Sequence, residues 1–322
     1  MHYTNESVTI RFDSGTELSR SWLASDRQRA QRVLSNHANE GLMCLCTPTG
    51  VPMHVVKRLG AYHIATMPGR GHHHALSCSG YIPREETSGL RNYADKAISR
   101  ANGIHNLSVA PGANERMPFD HFTPSSALQY LWDLAGLNVC TPKTVENRNY
   151  RHVGQSLLEA SALVRINGEP IRPYIPLVIQ SPLSCRTVIA QVRRVTAGRY
   201  DNAIALSADR ENTFWVDEKQ WECSGLADIF GPFSSPAKTR GVWIIGRLWR
   251  SPSGNYKLFD LGAISTTESF LPCTTTTKEL IGSLVTKQRR FYVCLPYDAV
   301  SDTSIPAVVL IDGEAPKNLF IT

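Results

Sequence analysis

The rhythm of apolar and polar positions changes along the chain, and each change predicts a different kind of element. SVTIRF (7–12) reads as a strand, and SDRQRAQRVLSNH (25–37) as a helix with Ser25 as its N-cap. Two β-prone runs, VPMHVVKR and AYHIATMP, lie either side of Leu59–Gly60 and predict a hairpin. SGLRNYADKAISRANG (88–103) then predicts a helix ending at Gly103, followed by a Pro-, Gly- and Asn-rich loop over 110–124. TPSSALQYLWDLAGL (123–137) and NYRHVGQSLLEASALV (149–164) carry helical apolar spacing and predict a helical pair.

From about residue 173 the pattern turns to strands: PLVIQ, RTVIAQVRRV, NAIALSA, TFWVDE, GVWIIGRLW and YKLFDLGAI. One more helix is expected at 277–288, with Thr276 and Glu279 fitting a capping box. RFYVCLP, PAVVLID and NLFIT close the chain as strands. The expected class is α+β, in three parts. These are a zinc-ribbon-like N-terminal module (1–110), a helical segment (111–170) and a mostly β domain with a few helices (171–322).

Composition changes this picture little. At 322 residues, 42% hydrophobic and 19% charged, the chain has the make-up of an ordinary globular protein without low-complexity tracts. Runs such as GVWIIG and PAVVLI are too short to span a bilayer. The opening MHYTNESVTIRF lacks the basic and apolar regions of a secretory signal. A cytoplasmic location is therefore expected, where thiols stay reduced and closely spaced cysteines favour metal over disulfides.

That expectation gives weight to GLMCLCTPTG (41–50) and GRGHHHALSC (71–80). A Cys-x-Cys pair, a hairpin and a His/Cys pair can supply four ligands: Cys44, Cys46, one histidine and Cys78. His74 gives His-x3-Cys and His73 gives His-x4-Cys, with His72 a further competitor. Thiolates and a neutral imidazole suit Zn²⁺, and four protein ligands leave no position for a catalytic water. The expected cofactor is structural zinc. Cys140, Cys185, Cys223, Cys273 and Cys294 are scattered singly and read as buried thiols.

Lys and Arg total 34 against 28 Asp and Glu, a net charge of +6 that matters mainly through its distribution. Pro182–Tyr200 holds Arg186, Arg193, Arg194 and Arg199 without an acid. Lys238–Lys257 holds Lys238, Arg240, Arg247, Arg250 and Lys257, again without an acid, with Trp243, Trp249 and Tyr256 among them. Cations attract phosphates and aromatics offer stacking faces for unpaired bases, so these residues, with Arg148, are the expected nucleic-acid contacts. The bland alternative is an ordinary exposed strand face with core aromatics.

CLC, VPMHVV, the MPGRG–H–C segment, SGYIP, SGL and LQYLWDLAGLN together resemble a family of uncharacterised proteins carried by bacterial plasmids and integrative conjugative elements. In that family the order is CLC, a GVPM strand, MPGTG, H-x3-C, SGL and an LW…AG-N block. The resemblance implies Cys44, Cys46, His74 and Cys78 as ligands, which selects His74, and it places Lys143 and Arg148 in the basic pair after the LW helix. No activity is implied.

The C-terminal order is similar to the core of PD-(D/E)xK nucleases, and a zinc ribbon before such a core is similar to the competence-protein family. Ala307 stands where that chemistry needs Asp and no ExK follows, so the resemblance implies a degenerate, restriction-endonuclease-like centre. Walker, dinucleotide, HExxH and G-x-S-x-G motifs are absent, and His105 and His121 read as solvated loop histidines.

The expected function is a non-catalytic nucleic-acid-binding protein of a mobile element, as a subunit of a ribonucleoprotein or conjugative complex. A diverged nuclease using Glu279, Asp312 and Glu314, or a protein-binding scaffold, are the alternatives.

Overall fold

The computed structural model describes residues 9–321 apart from 59–60, 68–69, 102, 111–117, 177, 180, 199, 210, 225, 234–236, 300–301 and 314. Packing divides the chain into two units: Met1–Thr87 with Val309–Asn318, and Ser88–Val308 with Leu319–Thr322. Mixed helix and strand run through the chain, as the α+β expectation requires.

In the first unit, β1 (Thr9–Phe12), β2 (Glu17–Ser19), β3 (Leu42–Cys44), β4 (Val51–Arg58) and β5 (Ala61–Thr66) form an antiparallel sheet in the order β2-β1-β3-β4-β5. The expected hairpin is β4–β5, in register from Met53↔Thr66 to Arg58↔Ala61. Ile10, Phe12, Leu42, Val51 and Met53 pack against Leu34 of the covering helix.

That helical region is broken into α1 (Arg20–Ser25) and α2 (Arg27–Asn36). The N-cap of α2 is Asp26, not Ser25. The Asp26 carboxylate accepts the Arg29 N–H at 3.0 Å and adds negative charge at the positive end of the helix dipole. Ser25 instead closes α1, donating to the Trp22 carbonyl at 2.9 Å.

The second unit departs first at residues 88–103. Instead of one helix there are 3₁₀ turns at Gly89–Asn92 and Asp95–Ala97, then β6 (Ile98–Ala101) paired with β7 (Ile104–Leu107). Tertiary partners take the backbone groups a helix would use. Gly89 N–H donates to Leu295 O at 2.9 Å, Phe119 N–H to Asn92 O at 2.8 Å, and Ala94 N–H to Phe119 O at 2.9 Å. Gly103, at φ +73°, turns the β6–β7 hairpin rather than ending a helix.

The expected helical pair is present as α3 (Pro124–Leu134), capped by Thr123, and α5 (Tyr150–Ser161), capped by Asn149. Between them run β8 (Val139–Cys140) and α4 (Pro142–Asn147). After α5, β9 (Val164–Ile166) and β10 (Glu169–Pro170) complete the sheet β10-β9-β7-β6.

The strand-rich part closes on itself. β11 (Pro173–Tyr174) pairs parallel with β12 (Thr187–Thr196), followed by β13 (Asp201–Leu206), β14 (Phe214–Asp217), β15 (Ala237–Arg250) and β16 (Tyr256–Thr266). β12, β13, β14, β16 and β15 neighbour one another in that order, and β15 pairs back onto β12 from Thr187↔Arg247 to Val195↔Ala237. All contacts in the ring are antiparallel except β14–β16. Between β14 and β15 lie α6 (Glu218–Cys223) and α7 (Leu226–Phe230). A closed five-stranded barrel with one parallel pair and helix between its third and fourth strands has the topology of an oligonucleotide/oligosaccharide-binding (OB) barrel.

The barrel explains the apolar runs. Val188, Ala190, Val192, Ile204, Phe214, Val216, Ile244 and Leu258 fill the interior with Trp221 of α6. Ile189, Trp243, Ile245 and Ile264, on the alternate positions, face outward and pack with α3 and α5. Burial on both faces makes these strands near-continuously hydrophobic. The same shared core runs across the boundary expected at residue 170, so helical segment and barrel belong to one packed unit.

PLVIQ forms no strand among its described residues; Ile175 O takes the N–H groups of Val178 and Ile179 in a turn. After the barrel come β17 (Pro272–Cys273), α8 (Lys278–Thr286) and β18 (Phe291–Val293), which pairs with β8. The capping box of Thr276 and Glu279 does not form, because the N-cap is Thr277, whose hydroxyl accepts the Thr274 N–H at 2.7 Å. The closing strands are β19 (Val308–Leu310) and β20 (Lys317–Leu319).

Two glycines give opposite expectations. A Cβ on Gly262 of β16 would stand 2.1 Å from Ser125 N and 2.3 Å from Pro124 C at the start of α3, so the helix reaches the barrel only over bare backbone. Gly262→Ala should lower stability by about 1–3 kcal/mol or more, whereas Gly282→Ala in α8, which meets nothing within 4 Å, should raise it by about 0.5–1 kcal/mol. Denaturant unfolding of the two variants checks both signs.

Candidate functional site

Four side chains in the first unit converge. Cys44 ends β3, and Cys46 follows in the turn to β4, which closes through Gly50 N–H to Thr47 O at 3.0 Å. His74 caps the short 3₁₀ turn Gly71–His73, and Cys78 follows in a turn where its N–H donates to Ala75 O at 2.8 Å. One ligand atom from each of the four lies within 4.8 Å of the others. Cys44 Sγ is 3.7 Å from Cys78 Sγ, and His74 Nδ1 is 3.3 Å from Cys46 Sγ and 3.5 Å from Cys78 Sγ. Cys44, His74 and Cys78 are buried and Cys46 is half-buried. The residues selected by the family resemblance are therefore the ones that meet, and they could hold a metal ion.

The surroundings favour anionic sulfur. Ala75 N–H points at Cys46 Sγ (3.4 Å), Gly80 N–H at Cys78 Sγ (3.3 Å) and Arg20 Nη2 at Cys44 Sγ (3.8 Å). Cys44 is held low by the hydrogen bond from Cys78, while Cys78 is pushed high by that same bond and by burial. Burial also raises Cys46. Several thiolates at this spacing repel unless a cation sits among them, which is the chemistry of a metal-binding donor set. Gly80 lies flat on the imidazole, since a Cβ there would come 2.9 Å from His74 Cε1. His72 and His73 meet in a tilted contact, 4.1 Å between centroids and 36° between planes, and lie outside the cluster.

The remaining cysteines vary in exposure: Cys140 and Cys294 are buried, Cys185 and Cys273 half-buried, and Cys223 exposed, so the buried-thiol expectation fails at Cys223. Burial pushes the Cys140 and Cys273 thiols up to about 11.

The expected nucleic-acid contacts are spread over several settings. Arg148 turns inward, donating to Val139 O at 2.6 Å, and its burial lowers the guanidinium pKa to about 10; it ties down the chain after α3 instead of meeting phosphate. Arg186, Arg193, Arg194, Arg247 and Arg250 are exposed and Lys257 is half-buried. Arg247 Nε pairs with Asp260 at 3.1 Å and Lys257 Nζ with Asp201 at 2.9 Å, acids that folding brings beside the acid-free segments. Arg199 and the Arg240 side chain lie outside the described residues.

Arg247 pairs with Thr187 at one end of β12, and Arg193–Arg194 lie near the other, roughly 20 Å along the strand. The aromatic expectation needs correction too. Trp243 is in the core, and Tyr256 lines the barrel interior; only Trp249, at 47% exposure, faces solvent. Sequence reasoning passed over Trp215 and Tyr200, which the fold brings to the barrel exterior and the β12–β13 loop.

For the nuclease alternative, Glu279 and Asp312 are exposed and Glu314 lies outside the described residues. The Cys/His group is the only potential metal cluster of three or more ligands among the described residues. No helix there is long and apolar enough to cross a membrane.

Substituting Cys46→Ser or Cys78→Ser should abolish stoichiometric metal retention, while His72→Ala and His73→Ala should leave it intact, as read by elemental analysis of the purified chain. The ligands bind only when deprotonated, so protons compete. Occupancy should be complete at neutral pH and fall as pH drops, measurable with a chromogenic chelator.

A family model described as a protein of unknown function (DUF1173) matches residues 17–109, a stretch that holds all four candidate ligands. No curated protein matches the chain.

Proposed function

We propose that this chain is a non-catalytic nucleic-acid-binding protein with a structural zinc ion held by Cys44, Cys46, His74 and Cys78. Zinc is supported by the spacing. A tetrahedron with Zn–S of about 2.3 Å and Zn–N of about 2.0–2.1 Å has edges of about 3.8 Å (S–S) and about 3.5 Å (S–N). The observed 3.7, 3.3 and 3.5 Å are close to those edges. Three sulfurs and one nitrogen fill the coordination shell, so the ion would cross-link β3, its following turn and the His74–Cys78 turn without a site for activating water.

The observation that carries the nucleic-acid reading is the barrel itself, with Arg193, Arg194, Arg247 and Arg250 exposed on its strands and Arg186 exposed just before β12. Small barrels of this topology commonly bind oligonucleotides, although fold alone does not set function; the cations point toward phosphate among its possible ligands. The family resemblance implies a mobile-element setting, and in it the chain would serve as a subunit of a ribonucleoprotein or conjugative complex.

Binding should weaken steeply as salt rises, because phosphate contacts release counterions. The double variant Arg193→Glu/Arg194→Glu should lower affinity at least tenfold and flatten the salt slope in fluorescence anisotropy. Unchanged affinity in that variant would sink the assignment of these arginines, and a 260/280 nm absorbance ratio showing no co-purified nucleic acid, with no binding in vitro, would sink the reading.

A further inference from the structure

The barrel's outer face carries a row that no single stretch of sequence displays. Trp215 on β14 is in register with Lys257 on β16, and Lys257 is in register with Trp249 on β15. The flanking residues fix the side on which they lie. Phe214, Tyr256 and Leu258 point into the barrel, so Trp215 and Lys257, at alternate positions, point out. Leu248 belongs with the interior set, which turns Arg247 and Trp249 outward beside Lys257. Three adjacent strands therefore present indole, ammonium and indole side by side, with neighbouring strands about 4.8 Å apart. Arg247, in register with Phe259, stands in the next row.

The row opens to solvent at Trp249, while Trp215 and Lys257 are half-buried. Trp249 is 47% exposed, Tyr200 in the β12–β13 loop is 74% exposed, and Arg247 is exposed. The helices α3 and α5 pack farther along the same side, around Trp243, Ile245 and Ile264. The cations are held by single acids, Lys257 by Asp201 and Arg247 by Asp260. Such surface pairs contribute little, so a polyphosphate can replace the carboxylates. In a duplex, base faces are stacked on one another and unavailable to indoles. In a single strand they are available, and aromatic stacking with backbone cations is how such strands are held without sequence readout.

We infer that this face of the barrel binds single-stranded nucleic acid, with bases stacking on Trp249 and Trp215 and the backbone lying against Lys257 and Arg247. The inference rests on the nucleic-acid reading above and adds the class of ligand and the residues that select it. Trp249 and Trp215 are contact residues in this assignment, and Lys257 is the cation between them.

The test uses the full-length protein, a fluorescein-labelled oligothymidylate, an oligouridylate, and a duplex of equal length, at one fixed salt concentration. The expected result is a preference for the single strands, quenching of tryptophan fluorescence on binding, and a roughly tenfold loss for Trp249→Ala with much smaller loss for Trp249→Phe. Lys257→Glu should also weaken single-strand binding, and it guards against misreading a folding defect in Trp215→Ala. Unchanged melting temperatures for Trp249→Ala and Lys257→Glu confirm that the losses are local. Equal or tighter binding of duplex, or single-strand affinity unchanged in Trp249→Ala, overturns the inference while leaving the broader reading in place. Absence of binding to all three probes overturns both.

Discussion

Trp243 is the residue on which the larger unit turns. It is fully buried on the outside of β15, edge-on to Trp132 of α3 (5.3 Å, 71°) and stacked with Tyr150 of α5 (5.2 Å, 19°). Phe270 meets it from the segment after β16 at 6.3 Å. Removing an indole from such a site costs about 3–5 kcal/mol through lost transfer energy and an unfilled cavity. More than energy depends on it. The contact joins helical layer to barrel wall, so it fixes which part of the barrel's outside is covered and which remains open. The row at Trp215, Lys257 and Trp249, open to solvent at Trp249 and half-buried at the other two, lies outside the area that Trp243 and its neighbours occupy.

That division explains what was legible in the sequence. The candidate ligands could be read because their chemistry is local: two short segments carry all four donors, joined by a hairpin whose strands were also visible. Helices α3 and α5 were legible from their periodicity. Most barrel strands were readable one at a time. Closure was not, since β12–β15 pairing joins residues about fifty positions apart and leaves no local mark. Without closure, inside and outside could not be assigned, and Trp243, Trp249 and Tyr256 looked equivalent. The helix expected at 88–103 failed for a related reason. Leu295 and Phe119, distant in sequence, take its backbone partners.

Charge along the chain was similarly incomplete as a guide. The two basic segments contain no acid, yet β16 and β13 deliver Asp260 and Asp201 to Arg247 and Lys257. These contacts position the cations while adding little stability on an exposed face. They also reduce the fixed positive field when no ligand is bound, consistent with a chain whose net charge is only +6. In the proposed role, such a surface would exchange carboxylate for phosphate rather than accumulate unopposed charge, so its affinity would depend strongly on what else the ligand offers. Aromatic faces would supply that second term, since they distinguish single strands from duplex.

The Cys/His cluster answers a different physical need. The first unit's buried apolar set is short, and Cys44 and Cys78 are themselves members of it beside Ile10, Phe12, Leu42, Val51 and Met53. A sheet of that size gains limited hydrophobic stabilisation, a deficit that small modules commonly meet with a metal or a disulfide. Disulfide pairing would satisfy two of the three sulfurs and leave the third beside His74. A dication would satisfy all four donors at once. The burial of Cys44, His74 and Cys78 and their convergence with Cys46 would then serve one end, a common counter-charge shared by the end of β3, the turn after it and the His74–Cys78 turn.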